Sequence, residues 1–397
     1  MQRKATIRHN AARLACVLLA FLTFALPSAA TPAATARLPS VSARGAVLYD
    51  ASEGGAGVLW EKNAHARMPM ASTTKIMTAL VAIESLPLTT AIQIPAAAGG
   101  GAAAAVGVEG SSVYLREGEK QTLEALLYAM MLESANDAAT AIAIAVAGSV
   151  EAFAELMNRR AADMGLGDTH FVNPHGLDAP EHFTSAYDLA LIASEALKNP
   201  ELRKIAGTYR SSMPLGDESG ARLLINHNRL LRSYPGAIGG KTGFTKKSGR
   251  CLVSAAERDG LRLVAVTLSA PDDWKDHECL LDYGFAGFEN IVLADANELE
   301  YAVSVSGGEQ GTVLAANTSA VRVTLPRSHG EITAENELSD IAVAPVSRGD
   351  ALGRVRWMCD GTEIASTDVC AEYDAAAVKN KKFSLWRWFL SLFGLKI

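Results

Sequence analysis

The stretch GGKTGFTKKSGRCLVSAAERDGLRLVAVTLS, residues 239–269, decides the fold. Cys251–Ala256 and Leu261–Ser269 are rich in β-forming residues and flank Asp259-Gly260, the dipeptide of a tight hairpin. Ahead of them, Gly239, Gly240 and Gly243 leave a run that another backbone can approach closely, as an edge strand receiving an extended peptide requires. Toward the N-terminus, Ala46–Tyr49 and Val58–Trp60 read as two further strands around a turn at Glu53-Gly54-Gly55. Between these strand pairs the apolar period becomes helical. One helix starts near Ser72 and runs through Ile76, Leu80 and Ile83, ending before Pro87. Others cover Leu123–Met131, Asp137–Val146, Glu151–Met164 and Ser185–Leu197, the last closed by Asn199-Pro200. Ala96–Val108, an Ala/Gly tract, reads as a loop. Strands, a long helical stretch and strands again make an α/β layer with an all-helical insertion.

Three short motifs sit at the joints of this plan. Ser72-Thr73-Thr74-Lys75 marks a helix start, with Lys75 one turn beyond Ser72 on the same face. A neutral lysine amine accepts the proton that a serine hydroxyl must lose before attacking a carbonyl. The positive helix end and partial burial would depress the lysine's pKa. In isolation, such a spacing more often means a helix cap and a solvated lysine. Ser134-Ala135-Asn136 breaks the helical run; Ser134 could relay a proton to a leaving amine, and Asn136 could hold a substrate amide. In Lys241-Thr242-Gly243-Phe244-Thr245, the amine of Lys241 and the hydroxyls of Thr242 and Thr245 suit a terminal carboxylate. His170, His175 and His182 cluster without metal spacing, so loop hydrogen bonding is expected of them, and no metal or cofactor is expected of the chain. Trp274 and His277 are expected to pack on the hairpin, while Arg222 and Asn226-His227-Asn228 are candidates to support the cleft.

Charge and hydropathy set the ends apart. The chain has 397 residues, 37 basic and 43 acidic. Residues 1–30 hold four basic side chains and no acids, and residues 378–397 hold five and no acids. The remainder carries about −15, a poor surface for nucleic acid, and no nucleic-acid partner is expected. Residues 1–30 read as a secretory signal: Arg3–Arg13 as its basic region, Leu14–Leu26 as its apolar region, Pro27-Ser28-Ala29-Ala30 as a cleavage site. Residues 31–43 read as a spacer, and 44–290 as the catalytic domain. Short alternating runs between 291 and 374 read as a small β-domain, including Tyr301–Val305, Val321–Leu325, Ile341–Ala344 and Val355–Met358. Cys359 and Cys370 could pair within it; Cys251 and Cys279 read as buried thiols. Residues 378–397 read as an amphipathic helix lying in a membrane interface, tryptophans at the headgroups and lysines on anionic lipid.

Taken together, the three motifs resemble those of the penicillin-binding protein and serine β-lactamase superfamily. The runs Ser72–Thr78, Ser134–Ala139, Asn173-Pro174-His175-Gly176-Leu177 and Lys241–Thr245 resemble low-molecular-mass D-alanyl-D-alanine carboxypeptidases of serine peptidase family S11. The resemblance implies a β-lactamase/transpeptidase-like catalytic domain of antiparallel sheet with helical insertion, then the all-β domain and the anchor helix. It implies attack by Ser72 on the penultimate D-alanine of a peptidoglycan pentapeptide, with Lys75 as base and Ser134 protonating the leaving group. The N–H groups of Ser72 and Phe244 would form the oxyanion hole, and β-lactams would acylate Ser72. Export to the outer face of the cytoplasmic membrane, with peripheral anchoring, is the expected location. A DD-endopeptidase of the same fold and an inactive wall-binding scaffold are the alternatives.

Overall fold

The computed structural model describes residues 38–95, 108–216 and 218–378. The expected leader, most of the spacer, most of the Ala/Gly tract and nearly all of the amphipathic tail lie outside them. Strands β1 (Gly45–Asp50) and β2 (Gly57–Lys62) lead into a 3-10 turn, Ala71–Thr74, continued by helix α1 (Lys75–Ser85). Short strands β3 (Ala91–Gln93) and β4 (Lys120–Thr122) precede α2 (Leu123–Leu132). Then come α3 (Asn136–Ala147), α4 (Val150–Asp163), α5 (Ala186–Lys198) and α6 (Pro200–Gly207). A hairpin of β5 (Arg210–Leu215) and β6 (Glu218–Ile225) and a short α7 (Leu230–Ser233) return the chain to β7 (Ala237–Thr245), β8 (Gly249–Arg258) and β9 (Leu261–Leu268). Helix α8 (Asp273–Gly287) closes the layer.

The five-stranded sheet is antiparallel, in the order β2-β1-β9-β8-β7, so β7 lies at an edge as its glycines suggested. Its period of two divides the core. Val47, Val253, Val264 and Val266 face the helical insertion, with Leu126, Met130 and Ile142. Leu48, Leu263 and Ala265 face α8 through Leu280 and Leu281. Each such side chain, fully buried, contributes about 1.5–3 kcal/mol. Asn199-Pro200 does more than close a helix. The Asn199 side chain accepts from the N–H groups of Glu201 and Leu202, and Pro200 occupies the first turn, where its missing N–H costs nothing.

Helix α8 ends at Gly287 and β10 (Phe288–Ala294) starts at the next residue, leaving no linker before the β-domain. There follow β11 (Glu300–Ser306), β12 (Thr312–Ala316), β13 (Val321–Pro326), β14 (Ile332–Leu338), β15 (Ile341–Val343), β16 (Ala351–Cys359) and β17 (Thr362–Ala371). Six of them form a sheet ordered β14-β16-β17-β12-β11-β15, around Val313, Val355, Trp357 and Val369; β10 pairs with β13. The β1–β2 turn docks on this domain: Thr324 N–H donates to Gly54 O at 3.1 Å and Asn290 Nδ2 to Glu53 O at 3.0 Å. The cysteine pairing is corrected. Cys359 sits opposite Thr362 at the turn of the β16–β17 hairpin and Cys370 opposite Ala351 at its far end. At about 3.3 Å per residue the two thiols are more than 20 Å apart along the ladder, far outside disulfide reach, and both are free.

Candidate active site

Ser72 lies in the 3-10 turn, half-buried, and Lys75 begins α1 wholly inside the protein. The Lys75 amine lies 2.9 Å from Ser72 Oγ and donates to Asn136 Oδ1 at 2.7 Å and to the main-chain oxygen of His175 at 2.6 Å. Burial holds its pKa well below 10.5, and the neighbouring positive charge of Lys241 lowers it further, against the opposing pull of Asp137. The expectation of partial burial is thus corrected to complete burial, and the second cause is another lysine. Lys241 is itself 1% exposed, its amine donating to Thr242 O at 3.0 Å, and burial brings its pKa down to about 7.

The histidine cluster supports the serine turn. His182 Nδ1 accepts from Val172 N–H at 3.0 Å, which leaves the proton on Nε2, 2.9 Å from Thr74 Oγ1; Thr74 donates in turn to Ala71 O. Burial pushes His182 down to about 4 and His175 to about 3, so both rings are neutral. His175 Nδ1 accepts from Leu177 N–H, holding the loop whose carbonyl meets Lys75. Gly176 makes this approach possible: at φ +91, a Cβ there would stand 1.9 Å from Ala71 O.

Ser134 joins α2 to α3 with φ +61, a conformation few non-glycine residues adopt, and lines the cleft with Ser72. Asn136 is 3% exposed, and both ends of its carboxamide are taken: Oδ1 by Lys75, Nδ2 by Glu109 O at 2.6 Å. In this arrangement the carboxamide holds the lysine. On the opposite wall, β7 packs against the serine turn, and a Cβ on Gly243 would meet Ser72 N at 3.0 Å. Thr242, Gly243 and Phe244 line the cleft, whose volume is about 270 Å³. The Thr245 hydroxyl, farther along β7, bonds to Asp178 Oδ1 at 3.0 Å and Ser248 Oγ at 2.9 Å.

Arg250, unforeseen in the sequence, lines the cleft. Its Nε donates to Asp273 Oδ1 at 2.9 Å; the acid is buried and the guanidinium half-exposed. His227 lines the cleft too, 3.4 Å from Glu133, and Trp274 lies under Arg229. The only signal for Arg250 was its place at the start of β8, opposite Phe244, which no spacing rule marks. His277, as expected, packs on the hairpin, its Nε2 2.9 Å from Thr267 Oγ1.

Comparison with known proteins agrees with this geometry. Residues 32–272 match the family of D-alanyl-D-alanine carboxypeptidases, peptidase S11, and residues 288–376 match the C-terminal domain of penicillin-binding protein 5. The chain is 32% identical over 339 residues to the D-alanyl-D-alanine carboxypeptidase DacF of Bacillus subtilis, covering 84% of this chain and 85% of that protein. It is 33% identical over 356 residues to DacC of Escherichia coli, covering 87% of each. Among solved structures, penicillin-binding protein 5 from Haemophilus influenzae superposes with a TM-score of 0.70 at 28% identity, over 85% of this chain and 98% of the other.

Proposed function

The chain belongs to the D-alanyl-D-alanine carboxypeptidase family and is a serine carboxypeptidase, and from that premise we propose that Ser72 is its nucleophile and Lys75 the base. The observation that carries this assignment is the buried Lys75 amine 2.9 Å from Ser72 Oγ. A neutral amine has two N–H groups and one lone pair. With the N–H groups on Asn136 Oδ1 and His175 O, the lone pair faces Ser72 Oγ. The substrate, the D-alanyl-D-alanine end of a peptidoglycan stem peptide, lies along the open edge of β7.

Ser72 Oγ attacks the penultimate carbonyl carbon as its proton passes to Lys75 Nζ. The N–H groups of Ser72 and Phe244, brought together where β7 meets the serine turn, receive the oxyanion. The C–N bond breaks, and the proton moves through Ser134 to the departing D-alanine nitrogen. Water then attacks the ester, giving its proton to Lys75 and freeing Ser72. Thr242 and Arg250 hold the terminal carboxylate, Arg250 because its guanidinium is charged at every working pH. β-Lactams acylate Ser72 as substrate mimics. Residues 1–30 direct export, and 378–397 rest in the outer leaflet of the cytoplasmic membrane.

Intact-mass measurement of the full-length chain after brief exposure to benzylpenicillin tests the nucleophile. A single penicilloyl adduct on the Ser72 peptide, missing in Ser72→Ala, is expected. Unmodified protein with the antibiotic intact would overturn the assignment.

A further inference from the structure

Loop 109–119, whose Ser111 lines the cleft, is gripped by two charges of opposite sign. Asp137, 2% exposed, accepts from Ser112 Oγ at 2.7 Å and from the N–H groups of Val113 and Leu115 at 3.3 and 3.0 Å. Arg222, on β6, donates to the carbonyls of Val113 and Tyr114 at 2.6 and 3.0 Å. It also binds both oxygens of Glu119 at 2.6 and 2.9 Å, and both side chains of this ion pair are nearly sealed from water. Val113 therefore gives its N–H to an acid and its C=O to a base. A surface loop ordinarily leaves such groups to water; here the protein takes them.

What this loop carries points to the reason. Glu109 O accepts from Asn136 Nδ2 at 2.6 Å, and Ser111 O accepts from Asn136 N–H at 2.7 Å. A carboxamide fits the same space in two orientations. In one, its oxygen accepts from the Lys75 amine. In the other, its NH2 would donate to the lone pair that the Ser72 proton needs. The Glu109 carbonyl selects the first.

We propose that Arg222, with Glu119 and Asp137, is a positioning residue: it holds loop 109–119 so that the Glu109 carbonyl keeps the Asn136 oxygen toward Lys75. This rests on Lys75 being the base. Breaking the grip then slows acylation without weakening the encounter with antibiotic, and only while Asn136 is present.

The test is a double-mutant cycle on the full-length chain, read as the acylation rate by benzylpenicillin. Arg222→Met should lower the saturated rate about tenfold while the half-saturating concentration moves less than about twofold. In an Asn136→Ser background the same change should cost less than about twofold. Glu119→Gln, which keeps the shape of the side chain, should show the same pattern more weakly should Arg222→Met fold poorly. Equal proportional losses in both backgrounds, no loss, or an effect confined to half-saturation would overturn the proposal. Wild-type protein inert to penicillin would instead sink the reading of Ser72 and Lys75.

Discussion

At the scale of single residues, the site is two buried lysines, with the charge of Lys241 bearing on Lys75. Acylation needs Lys75 neutral, so it is lost as pH falls through the lowered pKa of that amine. Lys241→Met removes the second cause of the lowering. Its acid limb in a pH–rate profile of acylation should therefore move to higher pH; an unmoved limb would mean that Lys241 does not act on Lys75. Stability should move as well. Lys241 titrates near 7 folded and near 10.5 otherwise, so the folded state binds fewer protons between those values and wild-type stability falls as pH drops through them. The methionine variant should accordingly melt higher than wild type, fully so below pH 7, with the difference vanishing toward pH 10.5, as calorimetry can check. Ser72 and Lys75 were legible because their relation is local, three residues on one helix. Arg250 and Asp273 were not, because the sheet and the loops around it join segments with no shared spacing. Asn136 was placed but its bond to Lys75 was not foreseen, since a sequence does not say which of two buried amide ends meets which neighbour.

At the scale of elements, the decisive contact is β7 against the serine turn. A methyl group on Gly243 would press on Ser72 N at 3.0 Å and on Met70 O at 3.1 Å. Gly243→Ala should fold and yet lose about a hundredfold or more in acylation, because it displaces an N–H aimed at the developing oxyanion. Near-normal acylation would remove that N–H from the mechanism. The β8–β9 hairpin was readable from Asp259-Gly260, and β7 from its glycines. The β5–β6 hairpin escaped notice because its strands are half-exposed and mixed in polarity, with Met213 and Leu224 the only members fully in the core. Helix α6 escaped because Asn199 caps two helices at once, ending one and starting the next.

At the scale of the molecule, the β-domain has its own core, and it meets the catalytic domain through the Phe288 ring against Tyr283 of α8 and through the dock of the β1–β2 turn. Gly54 makes the dock possible: at φ +67, a Cβ there would stand 1.9 Å from Arg322 O. Gly54→Val should loosen the β-domain, speeding proteolysis around residues 287–288, while hydrolysis of a small soluble peptide stays within about twofold of wild type. Equal protease resistance would mean that β10–β13 pairing alone sets the arrangement. The passage from α8 into β10 has no residue to spare. An enzyme on a slack tether sweeps a range of heights above its membrane, whereas a chain without slack keeps to one. With the tail in the bilayer as proposed, the α8–β10 junction adds no play of its own to the height at which the cleft meets the wall.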